Sequence, residues 1–114
     1  VTAIYGKTVS SNLTSTSATS VISNAANSST VVKINILNIS NTTANAANIT
    51  VNFNNAAAIA GTNFSIITTQ IPANSTLSAI DKNAPYYLEE NQSIGCTAGT
   101  ANALIVTASY EVIS

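Results

Sequence analysis

The side chains that could carry acid–base chemistry are four carboxylates, Asp81, Glu89, Glu90 and Glu111. Glycoside hydrolysis needs two such groups at a fixed separation across the sugar. Glu89 and Glu90 are adjacent and precede the turn-like residues 91–93. This context favours a solvated edge between a strand and a turn, so we predict no catalytic carboxylate pair.

Nucleophilic and metal chemistry lack their usual residues. The sequence has no histidine for a Ser-His-Asp triad. A zinc site needs a cluster of Cys and His, and Cys96 is the single cysteine. Lys7, Lys33 and Lys82 lie in unrelated contexts, and the acidic spacing of a calcium loop is absent. We therefore expect no catalytic residue, metal or cofactor, and we do not expect an enzyme.

Cys96 alternates with Ile94 along a predicted strand. A free cysteine in such a position packs as a small hydrophobic residue. A reactive thiol needs a cationic neighbour, and the local sequence offers none. We predict that Cys96 is buried and inert.

Composition restricts the possible partners. The chain has 114 residues, which suits one domain, and only 6% of them are charged, where about 25% is usual. A formal net charge of −1 gives no cationic field for nucleic acid and no basic stripe for a membrane surface. The apolar runs are also shorter than the roughly 20 residues of a membrane span. Low net charge favours association with other subunits.

The elements that must position these residues are predicted strands with period-2 alternation. In residues 31–39 the pattern places Val32, Ile34 and Ile36 on one face. Residues 49–54 alternate apolar residues with Thr50, Asn52 and Asn54, and residues 104–113 place every second residue from Leu104 to Val112 on one face. Weaker candidate strands are 4–9, 12–17, 20–23, 64–69, 76–80, 86–88 and 93–97.

Turn-forming residues separate these segments, and no helix long enough for a βαβ crossover is predicted. The alanine-rich residues 55–60 are interpreted as a loop, because six residues without caps make a marginal helix. The fold class is therefore all-β. We predict an antiparallel β-sandwich resembling a jelly roll, with eight or nine short strands in a single domain over 1–114. Residues 1–10 form an N-terminal arm or an edge strand.

The ordered motifs of the chain resemble a family of small virion structural proteins of tailed phages, especially phages of marine and freshwater bacteria. The matching stretches are Tyr5–Ser11, Ile39–Thr43 with the strand at 49–51, Ile71–Leu77, Leu88–Ile94 and Ala101–Ser114. The chain departs from the family at Asn74 and at Asn91-Gln92, where Gly and Gly-Asp are usual. Asn tolerates left-handed backbone geometry better than most residues.

This resemblance implies a β-sandwich subunit located in the virion. We predict a capsid decoration or cement protein that contacts the major capsid protein or other virion proteins and forms a homo-oligomer, with a trimer matching the local three-fold axes of the shell. The contact residues would include Tyr5 and Lys7 of the N-terminal arm and the Tyr86-Tyr87 pair, which points to opposite faces of a strand. Two alternatives remain open: a neck, tail or fibre component, and a carbohydrate-binding module.

Overall fold

A computed structural model describes residues 3–81 and 83–114, and most of the predicted alternating segments form strands in it. Val1, Thr2 and Lys82, which belong to the predicted arm and to the lysine candidates, lie outside the described residues. The strands are β1 (Ile4–Asn12), β2 (Thr19–Asn24), β3 (Val31–Asn41), β4 (Ala47–Asn54), β5 (Asn63–Ile71), β6 (Ser75–Ile80), β7 (Tyr86–Leu88), β8 (Gln92–Ala98) and β9 (Leu104–Ile113).

The strands form two antiparallel sheets. The first sheet has the order β1-β9-β3-β6, with β7 also paired to β3, and the second has the order β2-β8-β4-β5. Successive strands alternate between the two sheets except for the β4–β5 hairpin, which is the connectivity of a jelly roll, and β7 is an additional strand of the first sheet. The predicted all-β sandwich of a single domain is confirmed.

The core lies between the sheets and is almost entirely aliphatic. Its largest fully buried side chains are Leu13, Ile34, Leu37, Ile39, Ile49, Val51, Ile71, Ile80, Leu88, Ile94, Leu104 and Val106. The predicted inward face of β9 is confirmed, because Leu104, Val106 and Ala108 are buried and Tyr110 and Val112 pack against the core. Burial of many apolar side chains is the main source of stability for a chain with so few charges.

The predicted face of Ile36 is wrong. Val32 and Ile34 point into the core, but the register between β3 and β9 shifts between Ile34 and Ile36. A β-bulge of this kind adds one residue to a strand and exchanges the faces of the residues that follow. Leu37 and Ile39 are therefore buried in place of Ile36, which is partly exposed on the outer face.

The predicted strand over residues 12–17 is also wrong. Asn12 ends β1, and Leu13 is buried with its N–H donating to the carbonyl oxygen of Leu104 at 2.9 Å. Residues 14–18 then cross from the first sheet to the second. A crossing chain cannot keep the ladder of either sheet, so the Ser/Thr-rich sequence stays irregular here.

Asn52 and Asn54 point to the outer face of the second sheet as predicted, yet both are buried. A loop cap, residues 55–61, folds back over this face and contains the single 3₁₀ turn of the described chain, Ala57–Ile59. The Asn54 Oδ1 accepts hydrogen bonds from the N–H groups of Ala56 and Gly61, both at 2.9 Å. The interpretation of 55–60 as a loop therefore holds apart from this one turn.

Several turns use asparagine in the left-handed region. Asn74 has φ 55° and Asn91 has φ 59°, so both departures from the family motif adopt the backbone conformation that glycine adopts easily. Asn27 and Asn102 do the same. Asn is therefore compatible with the left-handed geometry of these turns.

Candidate interaction surface

The carboxylates are dispersed. Glu89 and Glu90 line an open concavity of about 640 Å³ with Ile113 and Ser114, whereas Glu111 lies on the outer face of β9, where its Oε1 accepts from Asn35 Nδ2 at 3.0 Å. Asp81 follows β6, and its Oδ1 accepts a hydrogen bond from the N–H of Asn83 at 3.0 Å. Among the described residues, no three His, Cys, Asp or Glu side chains cluster to hold a metal.

Cys96 lies on β8 between the two sheets and is fully buried. Burial raises the pKa of the thiol to about 12, because the thiolate would lose its solvation. The predicted buried position is confirmed. The thiol is shielded from reagents in the folded state.

Part of the inner face of the first sheet is uncovered at β1. Residues that pair directly across antiparallel strands point to the same side of a sheet. Tyr5 pairs with Val112 and Lys7 pairs with Tyr110, so both point inwards, yet Tyr5 is 60% exposed and Lys7 is exposed. We call this pair the β1 overhang.

Tyr5 begins a row of residues that pair across neighbouring strands of the first sheet, and the exposed fraction of the side chains decreases along this row. Val112 is partly buried, Val32 is 3% exposed and Leu88 is 0% exposed, in the order in which the strands lie across the first sheet. The second sheet therefore covers the β3 and β7 side and stops short of the first half of β1, whereas Val9, further along the strand, packs against the core. The described strands also leave the outer edge of β1 unpaired, with nine residues of backbone available for a partner.

The second sheet has a matching uncovered part at β5. Phe64 pairs with Phe53 and Thr69 pairs with Ile49, so both point towards the core side. Phe64 is nevertheless 53% exposed, and Thr69 is exposed. We call Phe64 and Thr69 the β5 overhang.

The outer face of the first sheet carries a separate patch, here called the Tyr87 patch. Tyr87 pairs with Lys33, and Lys33 pairs with Glu111, which places an exposed ring beside two opposite charges. The next row contains the partly exposed or exposed side chains of Ile4, Ile113 and Val31. Of this patch, the exposed tyrosine is the residue type that is enriched at protein–protein interfaces.

The four predicted contact residues therefore fall into three environments. Tyr5 and Lys7 lie together in the β1 overhang, and Tyr87 lies on the opposite side of the same sheet. Tyr86 is half-buried and packs against the core. The structure thus separates the tyrosine pair as predicted and brings Tyr5 next to Lys7, but it does not unite all four.

Phe64 is a surface residue that sequence reasoning missed. Its alternation with apolar neighbours indicates a strand, and its face indicates burial. Only the lateral offset of the two sheets exposes it. The sequence carries no signal for this offset. Alternation of apolar and polar residues shows which face of the sheet a side chain occupies, but it does not show how far the opposite sheet extends.

Comparisons with known proteins define the fold and no more. No protein-family model and no curated protein matches the chain. A solved chain from Bacillus endospore appendages, a family of disulfide-linked pili, is similar over 98% of this chain and 86% of its own length, with a TM-score of 0.57 and 12% identity. A chain of infectious bursal disease virus, Gx strain, is 11% identical over 99% of this chain and 33% of its own, with a TM-score of 0.39. Within the described residues, no helix has the length and apolar character needed to cross a membrane.

Proposed function

We propose that this chain is a non-enzymatic structural subunit of a tailed-phage virion. It acts as a capsid decoration or cement protein that bridges major capsid subunits, and its copies assemble as a trimer about the local three-fold axes. Its partners are virion proteins rather than nucleic acid or membrane. The observation that carries the proposal is the exposure of large apolar side chains around β1 on both faces, with Ile4 outside and Tyr5 inside.

This arrangement suits binding through surface contact. An edge strand can accept a neighbouring backbone, while Tyr and Ile side chains supply apolar area that is lost to water on docking. The Tyr87 patch adds a second surface, so one subunit can touch two partners. A stable contact of this kind buries roughly 1,000 Å² or more.

The fold shared with an endospore appendage chain is compatible with a structural role. Those pili are disulfide-linked, whereas Cys96 of this sequence is fully buried between the sheets. The contacts proposed for this chain are therefore non-covalent, resting on apolar area and backbone pairing.

The two alternatives make different demands on the structure. A neck, tail or fibre component would use the same surfaces but would be present in a low copy number at the particle axis. A carbohydrate-binding module needs neighbouring aromatic rings on one platform, whereas Tyr5 and Tyr87 point to opposite sides of the first sheet. The geometry favours the structural role over sugar binding.

The test is to measure the stoichiometry and position of the chain in purified virions of the phage that encodes it. We expect quantitative mass spectrometry to give a copy number proportional to the major capsid protein, and electron cryomicroscopy to place its density on the shell. Density restricted to the neck or tail would support the alternative component. Absence from the particle would refute a virion role.

A further inference from the structure

We propose that the β1 overhang of one copy is covered by the β5 overhang of the next copy, in a head-to-tail contact. The inference concerns which surfaces join two copies, and it rests on the proposed role as a structural subunit. The partner is a second copy of this chain, and the segment that covers the β1 overhang is strand β5 of that copy.

The first step is the position of the two overhangs. Strands β1 and β6 are the two ends of the first sheet, and β2 and β5 are the two ends of the second. Residues 13–18 join β1 to β2, and residues 72–74 join β5 to β6. Strands β1 and β5 therefore lie at opposite sides of the sandwich. The first sheet projects beyond the second at Tyr5 and Lys7, and the second projects beyond the first at Phe64 and Thr69, whereas Ile71 at the end of β5 is covered. The two sheets are therefore offset laterally.

The second step is that this offset is self-complementary. A copy displaced sideways by the width of the sandwich would bring its β5 opposite β1 of the first copy, at the usual separation of about 10 Å between packed sheets. The two layers would then continue from one copy into the next. Each overhang would receive the cover that its own molecule lacks.

The third step is that the exposed rings lie at the same end of the sandwich. Tyr5 lies in the row that ends at Leu88, and Phe64 lies in the row that contains Ile94, close to the chain segment 88–92 that joins the sheets. A sideways displacement therefore places Tyr5 near Phe64 with no shift along the strands. Aromatic pairs of this kind add to the area buried at a contact.

Charge favours this pairing over a two-fold contact between two β1 overhangs. Strand β5 contains no charged residue, so the Lys7 stem can lie along its apolar surface with the ammonium group in water. A two-fold contact would bring the Lys7 side chains of two copies into one interface. A contact between unlike surfaces generates a closed ring, such as a trimer, or an open filament.

The test uses cysteines placed in the overhangs of the full chain. Lys7→Cys and Thr69→Cys keep both aromatic rings and replace exposed residues. Thr69 lies one inward row further from Phe64 than Lys7 lies from Tyr5, which offsets the two sites by about 7 Å along the strands. We expect a bis-maleimide that spans about 12 Å to link the two variants when they are mixed, and neither variant to itself. The wild-type chain should stay unlinked, because Cys96 is buried.

The matched controls are Thr8→Cys and Thr68→Cys, which are exposed and lie one residue away on the same strands but face outwards. We expect at least tenfold less linked product from this outward pair. Equal linking of both pairs, linking of Lys7→Cys to itself, or no linked product at high concentration would overturn the proposal.

A second measurement uses Tyr5→Asp and Phe64→Asp, which change exposed side chains and should leave the fold intact by circular dichroism. Each variant alone should fail to associate in sedimentation velocity. Their mixture should form dimers and no larger species, because each retains the surface that the other has lost. Failure of this complementation would overturn the head-to-tail contact, while the copy number in virions tests the virion role separately.

Discussion

The Asn41 side chain, at the end of β3 in the first sheet, donates a hydrogen bond from Nδ2 to the carbonyl oxygen of Ile71 in the second sheet at 3.0 Å. At the other end of the sandwich, Asn24 of the second sheet donates to the carbonyl oxygen of Leu88 in the first sheet at 3.1 Å. Both asparagines are buried. Among the described residues, every buried side-chain nitrogen and oxygen has a hydrogen-bond partner. These two amides therefore tie the sheets together at both ends.

Asn41→Ala should lower the free energy of unfolding by about 2–4 kcal/mol. The Asn41 amide also donates to Asn45 O at 2.8 Å and accepts from the N–H of Thr43 at 3.0 Å, so the substitution leaves several polar groups unpaired. Urea denaturation followed by circular dichroism measures the loss. The matched control is Asn45→Ala, whose exposed side chain should contribute less than about 0.5 kcal/mol. Equal effects of the two substitutions would contradict the tie between the sheets.

Gly95→Ala should destabilise the fold by about 1–3 kcal/mol. A Cβ at Gly95 would lie 2.8 Å from Ile59 Cγ2 and 3.0 Å from the Thr19 carbonyl oxygen, so the loop cap would have to move. Differential scanning calorimetry measures the change. Gly6→Ala is the control, since a Cβ there meets nothing within 4 Å. If Gly95→Ala melts like the wild type, the loop cap does not rest on β8.

Ala58→Gly should stabilise the protein by roughly 0.5–1 kcal/mol, although it removes a side chain. Ala58 is exposed and has φ 54°, a left-handed conformation that costs an alanine more than a glycine. Ala60→Gly is the paired control, because Ala60 is equally exposed in the same loop cap with φ −80°. There glycine should destabilise by a similar amount through the entropy of the unfolded chain. Thermal unfolding that changes in the same direction for both variants would show that Ala58 is not left-handed.

Alkaline pH should weaken the fold through Cys96. Its pKa is about 12 in the folded chain against an ordinary 9.0, so the unfolded state loses its thiol proton first as the pH rises. The contribution to stability is intact below pH 9.0 and decreases between there and about 12, with a slope of at most about 1.4 kcal/mol per pH unit.

Urea denaturation at intervals from pH 8 to 11 measures this slope, and Cys96→Ala, which changes no other residue, should lack it. A thiol reagent should also react with the wild type at the rate of unfolding. Immediate reaction of Cys96 in the native state, or identical slopes for the two proteins, would contradict its burial.

The sequence by itself was sufficient to predict the all-β sandwich, because alternation along a strand records which side chains face the core. It was also sufficient to predict the buried Cys96, the opposite directions of Tyr86 and Tyr87, and the inward face of β9. Each of these properties depends on neighbours within a few residues of one strand. The residue type at Asn74 and Asn91 likewise indicated that the backbone can adopt the left-handed conformation at these two turns.

Only the tertiary structure decided where the alternation of buried and exposed residues is interrupted. It also decided which parts of the inner faces are left uncovered by the opposite sheet. Ile36 points outwards because of a bulge that depends on pairing with β9, and Asn54 is buried because the loop cap that follows it folds back and packs against β2 and β8. Tyr5 and Phe64 are exposed on core-facing sides because the opposite sheet ends before it reaches them. A strand's sequence encodes the face that each residue occupies, whereas the cover over that face is supplied by residues far along the chain, and their positions are fixed only when both sheets have packed.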